Sequence, residues 1–187
     1  MQISRMGRED FNTISNWDQY YDSDYQWEYC EILHYLEADN MQDYLIRIIK
    51  AQKEDFAPDK RFAYVLKEKK EILAFTFFAL NECKNKKWDL FIQSIVVNPE
   101  HRGEGYGKIL LSHIFANPTL FIGYVPDNVV ALVSPTNRAS LKLFDSFTTF
   151  EKQWFKAKFY FIEAKYINVY KAAKKCLDGS VLWERYG

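Results

Sequence analysis

Clustered glycines are the feature of this sequence that most limits its fold. Three of the seven glycines in the 187-residue chain, Gly103, Gly105 and Gly107, lie within five consecutive positions. An apolar strand-like segment, residues 88–97, precedes them, and residues 106–116 carry apolar side chains at helical spacing. Glycine leaves backbone amides uncovered, and the start of a helix carries partial positive charge. The pattern predicts a strand, a phosphate-binding turn and a helix, in that order.

Three other interpretations of this turn can be compared with it. A nucleotide P-loop has Ser or Thr directly after its lysine, whereas Ile109 follows Lys108 here. A Rossmann turn has its third glycine three residues after the second and an acidic residue at the end of the next strand, and neither is present. A glycine-rich surface turn is the simplest alternative, but a strand directly before the turn and a helix directly after it favour phosphate binding.

The remaining periodicity predicts a mixed sheet. Apolar residues at spacings of three and four predict a helix over residues 41–49, and a second helix is predicted over residues 137–147. Strand-like segments come between and after them, at residues 62–66, 71–80, 88–97, 129–133 and 153–161. Strands that give way to alternating strands and helices predict an α/β (α+β) fold, in which helices flank the sheet.

Two segments resemble the motifs of the GNAT acyltransferases. Arg102, Gly105 and Gly107 match the R-x-x-G-x-G core of that family's pyrophosphate-binding motif, and residues 137–144 look like its second motif. The resemblance implies a mostly antiparallel central sheet with helices on both faces. It also implies one domain over residues 1–187, with a helical acceptor-side segment (1–60), a CoA-binding core (62–150) and C-terminal strands and tail (151–187).

The resemblance also implies a set of cofactor-binding residues. The backbone of Ile95 to Val97 would bind pantetheine in a splayed sheet, the turn amides would bind the pyrophosphate, and Asn137 would begin a helix beside the pantetheine. The implied residues are Ile95, Val96, Val97, Arg102, Gly103, Glu104, Gly105, Tyr106, Gly107, Lys108, Asn137 and Phe144. Acetyl-CoA would be the co-substrate, without a metal, and its acetyl group would pass directly to a primary amine.

The catalytic residues are less constrained by the sequence. Many family members have a tyrosine general acid where this chain has Phe144, so Tyr124, Tyr160 or an unassisted thiolate departure would replace it. Asp89 is a candidate general base, and a water chain is the alternative. The missing tyrosine also leaves open a catalytically weak acyl-CoA-binding sensor or interaction module.

The acceptor would contact the early part of the chain. Aromatic residues alternate with acids around Tyr25 and Trp27, which suits an ammonium ion, although ordinary packing explains the same pattern. The acceptor is therefore an amine of a small molecule or a protein. The aromatic tail, residues 182–186, would either contact a second subunit or fold back, so the chain would be a monomer or a homodimer.

Composition narrows the partners and the compartment. The 25 basic and 25 acidic residues cancel, which argues against nucleic acid as a partner. Three scattered cysteines suit neither a disulfide framework nor a metal site and predict a reducing, cytoplasmic location. No signal peptide is expected, and the longest apolar run, residues 72–80, is about half the length of a membrane helix.

Overall fold

The structure is a computed structural model that describes residues 1–14, 17, 60–83, 86–177 and 179–183. The predicted helix over residues 41–49 and the acceptor residues Tyr25 and Trp27 lie outside the described residues. No helix in the described part of the chain is long and apolar enough to cross a membrane.

The described strands form one sheet. They are β1 (Gln2–Arg5), β2 (Lys60–Glu68), β3 (Glu71–Glu82), β4 (Trp88–Val97), β5 (Asn128–Val133), β6 (Glu151–Phe155), β7 (Phe159–Lys165) and β8 (Leu182–Trp183). Their order in the sheet is β6-β7-β5-β4-β3-β2-β1-β8. Neighbouring strands are antiparallel except β4 with β5 and β1 with β8. The sheet is therefore mixed and mostly antiparallel, as predicted.

Helices cover the sheet. They are α1 (Arg8–Ile14), α2 (Tyr106–Ala116), α3 (Pro118–Phe121), α4 (Arg138–Asp145) and α5 (Tyr166–Lys175). Leu110 of α2 and Val169 of α5 pack with Phe78 of β3 in one buried cluster. On the opposite face, the ring of Trp17 stacks on Phe75 with ring centroids 5.6 Å apart. Because Phe75 and Phe78 are three residues apart in β3, their side chains lie on opposite faces of the sheet. Both faces are therefore covered.

A bulge and a split occur together in β4. Phe78 pairs with Ile92 but Phe77 pairs with Ser94, so Gln93 is an extra residue in β4. Pairing of β4 with β5 ends at Ile92 and Ala131, although β4 continues to Val97. The bulge bends β4 where its contact with β5 stops, and the two strands then diverge. The splayed sheet expected from the resemblance is present at this point.

One predicted strand is wrong. The aromatic segment over residues 153–161 is a hairpin of β6 and β7, not a single strand. The turn places Lys156 at φ 51° and Ala157 at φ 54°. Such left-handed turns normally carry Asn or Gly, so the sequence gives no turn signal there. Strand β1, which pairs with β2, was also missing from the prediction.

Two open predictions about chain ends and caps are settled. Asn137 begins α4, and its Oδ1 accepts a hydrogen bond from the Ser140 amide at 3.0 Å. The described part of the tail, Leu182 and Trp183, folds back, because β8 pairs with β1 and the Trp183 ring packs on Tyr64 and Phe121 at 5.6 and 4.6 Å. Leu182 remains largely exposed.

Candidate functional site

A cavity of about 850 Å³ lies at the split between β4 and β5. The last residues of β4, the glycine turn at the start of α2, and α4 form its walls. The side of β7 that carries Phe159 and Phe161 also contributes. Of the implied cofactor-binding residues, all but Glu104 line this cavity. The fold thus brings together two motifs that are about 30 residues apart in sequence.

The glycine turn forms an open cradle. Gly103 and Gly105 have φ values of 84° and 86°, and a Cβ atom at either position would meet no atom within 4 Å. Gly105 begins α2 without a side-chain cap, which leaves the first helix amides available to an anion. Arg102 and Lys108 line the same cavity. The arrangement fits a pyrophosphate.

Gly107 has a different function in the turn. A Cβ atom there would lie 3.3 Å from Val97 Cγ2 and 3.5 Å from Leu143 Cδ2. The first distance is shorter than most van der Waals contacts of a Cβ atom, and the second is an ordinary contact. The missing side chain therefore lets α2 approach both β4 and α4, and it sets the position of the cradle relative to the split.

The free edge of β4 forms a second binding element. Beyond the bulge, the backbone of Ser94 to Val97 pairs with β3 on one side and has no described β5 partner on the other. Backbone amides and carbonyls of a strand edge are strong hydrogen-bonding groups that need partners. An extended molecule with its own amide groups would fit as an added strand.

Phe144 forms part of the opposite wall. It is 2% exposed, lines the cavity, and packs edge-on against Phe150 with ring centroids 5.4 Å apart. A phenyl ring has no proton to donate, so this wall is apolar at the position where the resemblance implies a tyrosine.

The predicted catalytic residues separate in the structure. Asp89 lines the cavity, whereas neither Tyr124 nor Tyr160 is among the described residues that do so. The Tyr124 ring packs on Trp88 and is 44% exposed. Tyr160 alternates with Phe159 and Phe161, so its ring lies on the opposite face of the sheet and packs on Trp154. We therefore do not retain the two tyrosines as proton donors.

Both carboxylate oxygens of Asp89 are held by neighbours. Asn128 Nδ2 donates to Oδ1 at 2.9 Å, and Cys83 Sγ donates to Oδ2 at 3.0 Å. The hydrogen bond to Asp89 is the main cause that raises the pKa of the Cys83 thiol to about 11, so the thiol stays protonated at neutral pH. Cys83 and Asn128 were missed in the sequence because only strand pairing brings them to Asp89.

His101 joins the glycine turn to β3. Its Nε2 lies 2.8 Å from Glu71 Oε1, and its Nδ1 lies 3.4 Å from Glu104 Oε1. Only the imidazolium form donates from both ring nitrogens. In that form His101 links the start of β3 to the glycine turn.

We expect this link to weaken as the pH rises. The hydrogen bond to Glu71 is the main cause that raises the pKa of His101 above its ordinary 6.5. A raised folded-state pKa means that the stabilisation is complete below about pH 6.5 and is lost as the pH rises through the higher folded-state value. Thermal melts of the native protein and His101→Gln should therefore differ most at low pH and converge at high pH.

Glu71→Gln is the matched control for that experiment, because it removes the main cause of the shift and keeps the imidazole. Its melting temperature should show a smaller difference from His101→Gln across the same pH range. A gap between the native protein and His101→Gln that grows with pH would contradict the assignment.

Metal ligands are not gathered among the described residues. No group of three or more His, Cys, Asp or Glu side chains in that part of the chain could hold a metal ion.

Comparison with known proteins gives one family match. The model of the acetyltransferase (GNAT) family matches residues 16–150, which include the cradle, the free edge of β4 and α4. A comparison with curated protein sequences finds no match.

Solved structures share the fold at low sequence identity. A Vibrio cholerae spermidine N-acetyltransferase in complex with CoA and spermine is 14% identical, with a TM-score of 0.59, covering 89% of this chain and 96% of that one. A chimera of that enzyme and hSSAT gives a TM-score of 0.60 at 14% identity, covering 90% and 99%. The Escherichia coli ribosomal-protein-S18-alanine N-acetyltransferase gives 0.54 at 14%, covering 86% and 89%.

Proposed function

The chain belongs to the acetyltransferase (GNAT) family, and from this membership we propose that it transfers an acetyl group from acetyl-CoA directly to a primary amine. The acceptor amine is carried by a small molecule or a protein. The spermidine and ribosomal-protein enzymes that share the fold act on amines, which supports this acceptor class.

The main support for the proposal is that two stretches of backbone with available hydrogen-bonding groups line the same cavity. The uncapped amides at the start of α2 suit the pyrophosphate of CoA, and the free edge of β4 suits the amide-containing pantetheine arm. Their separation along the cavity lets one extended molecule contact both. Arg102 and Lys108 add positive charge at the phosphate end.

In this proposal the residues of the cavity mainly position the thioester and the amine, and they do not donate or accept protons. When bound, acetyl-CoA supplies an activated thioester carbonyl. The bulge at Gln93 turns the backbone of β4 toward the split, where that carbonyl would lie. Phe91 also lines the cavity, on the part of β4 that still pairs with β5, and in this proposal the amine approaches the carbonyl from there.

Proton transfer does not require a tyrosine in this proposal. Phe144 cannot donate a proton, but a free thiol has a pKa of about 8.5, so a thiolate is a reasonable leaving group near neutral pH. Asp89 is four residues before Gln93, which is roughly 13 Å along a strand. That separation exceeds the roughly 3 Å needed for direct proton removal at the split, so water would carry the amine's proton away.

The broader setting follows from composition. We propose a cytoplasmic, single-domain enzyme, monomeric or homodimeric, with no nucleic acid or membrane partner. The cancelling charges and the few cysteines support this setting.

Calorimetric titration with acetyl-CoA, followed by turnover with a panel of primary amines, tests the proposed function. We expect acetyl-CoA to bind at one site and at least one amine to be acetylated. Binding with no acetylation of any amine would favour the catalytically weak acyl-CoA-binding module that Phe144 suggests. No binding would contradict both.

A further inference from the structure

Asp89 is a cavity-lining carboxylate that the transfer reaction does not use. Its two oxygens accept from Asn128 and Cys83, which are neutral donors, and no described cationic side chain pairs with it. Asp127 and Glu163 are the other carboxylates near enough to act on Cys83. This end of the cavity is therefore negative and lacks a counterion among the described residues.

A polar group also lies at the other end of this face. Ser94 follows the bulge and is 9% exposed, and it lines the cavity. The Ser94 carbonyl accepts a hydrogen bond from the Thr76 hydroxyl at 2.8 Å, which holds this part of β4 against β3. Ser94 pairs with Phe77 and Asp89 pairs with Asn81, so alternation along β3 places both on the same face of the sheet. A serine hydroxyl on a cavity wall can both donate and accept a hydrogen bond with a bound ligand.

The surface between these two groups is apolar. Phe91 pairs with Val130 across β4 and β5, and Leu132 pairs with Phe161 across β5 and β7. All four residues line the cavity. An apolar stretch therefore separates the carboxylate at one end from the hydroxyl and the split at the other.

We propose that the acceptor is a diamine with an apolar chain between its two nitrogens, and this inference rests on the proposed function. The distal ammonium binds Asp89, the chain lies on Phe91 and Val130, and the reacting amine hydrogen-bonds Ser94 beside the split. Cys83 and Asn128 are positioning residues, because each fixes one oxygen of the carboxylate. The roughly 13 Å between Asp89 and the bulge determines which length of diamine fits.

The geometry predicts a length preference that a monoamine cannot show. From diaminoethane to diaminooctane, kcat/KM should rise with chain length to an optimum and then fall. For alkylamines of matching length, each with one nitrogen fewer, kcat/KM should rise only gradually as apolar contact increases. The optimum diamine should exceed its matched alkylamine by about 10- to 100-fold, as expected for one hydrogen bond to a charged group.

Asp89→Asn should reduce that diamine-to-monoamine ratio by about 10- to 100-fold, because the amide keeps the shape and removes the charge. Asn128→Ala should reduce the ratio in the same direction by a smaller factor, since it frees one oxygen of Asp89. Asp145→Asn is the control for removing a carboxylate, because Asp145 is exposed, pairs with Lys152 and is not among the described residues that line the cavity. Its ratio should equal that of the native protein.

Calorimetry gives a second measurement that does not depend on turnover. Diaminohexane and hexylamine are titrated into the protein saturated with CoA, and the affinity for CoA itself checks that each variant is folded. Tighter binding of the diamine that is lost in Asp89→Asn supports the inference even if no amine is acetylated, in which case only the proposed function fails. Equal binding and turnover of both amines, or a ratio that survives in Asp89→Asn, overturns the inference.

Discussion

Gly105→Glu should weaken acetyl-CoA binding by at least about 100-fold. The helix amides beside Gly105 are the proposed pyrophosphate donors, and charge-assisted hydrogen bonds are each worth about 1.5–3 kcal/mol. Losing two of them exceeds the roughly 3 kcal/mol that a 100-fold change requires. The open space at this position admits the new side chain, and its carboxylate places negative charge at the cradle.

Gly123→Glu is a closely matched control for this variant. Gly123 has a φ of 74°, and a Cβ atom there would also meet no atom within 4 Å. It is not among the described residues that line the cavity. Both variants place glutamate in left-handed backbone, which costs roughly 1–2 kcal/mol of stability in each. Calorimetry should then show weak acetyl-CoA binding by Gly105→Glu and native binding by Gly123→Glu. Equal affinities of the two variants would contradict the assignment of the cradle.

The motifs of the site could be predicted because their chemistry is local in sequence. Gly103 and Gly105 carry the left-handed backbone of the turn, and Asn137 carries its helix cap in its own side chain. Each of these needs only its near neighbours, so a short pattern is enough to identify it. The family match over residues 16–150 confirms the resemblance that these motifs suggested.

Residues that act through strand pairing could not be predicted in this way. Asn128 reaches Asp89 across parallel strands that are 39 residues apart in sequence, and Cys83 reaches it across the turn between β3 and β4. The bulge at Gln93 depends on the register between β3 and β4. Register follows from how all strands bury their faces together, which no single segment encodes.

The missed hairpin has a related cause. Lys156 and Ala157 adopt left-handed backbone although neither residue favours it, so tertiary pairing of β6 with β7 overrides local preference. The aromatic residues on both sides of the turn gave a continuous strand signal. Pairing partners, rather than turn residues, therefore define this edge of the sheet.

Phe78→Ala should lower the free energy of unfolding by about 3–5 kcal/mol, the usual loss when a large buried ring is truncated. Phe78 is fully buried and stacks on Phe62 and Tyr64, with ring centroids 5.3 and 5.8 Å apart. It pairs with Ile92 beside the bulge, so the resulting cavity lies under the point where β4 leaves β5. Urea denaturation measures the loss.

Trp154→Ala is the control for ring removal as such. Trp154 is 63% exposed on β6 and contacts Tyr160 at a centroid distance of 4.6 Å. Its truncation should lower the free energy of unfolding by less than about 1 kcal/mol. Equal losses in the two variants would contradict the buried cluster around Phe78. A large loss in Phe78→Ala beside a nearly native Trp154→Ala would show that the buried ring on β3, not an exposed ring on β6, supports the split that the proposed acetyl-CoA site requires.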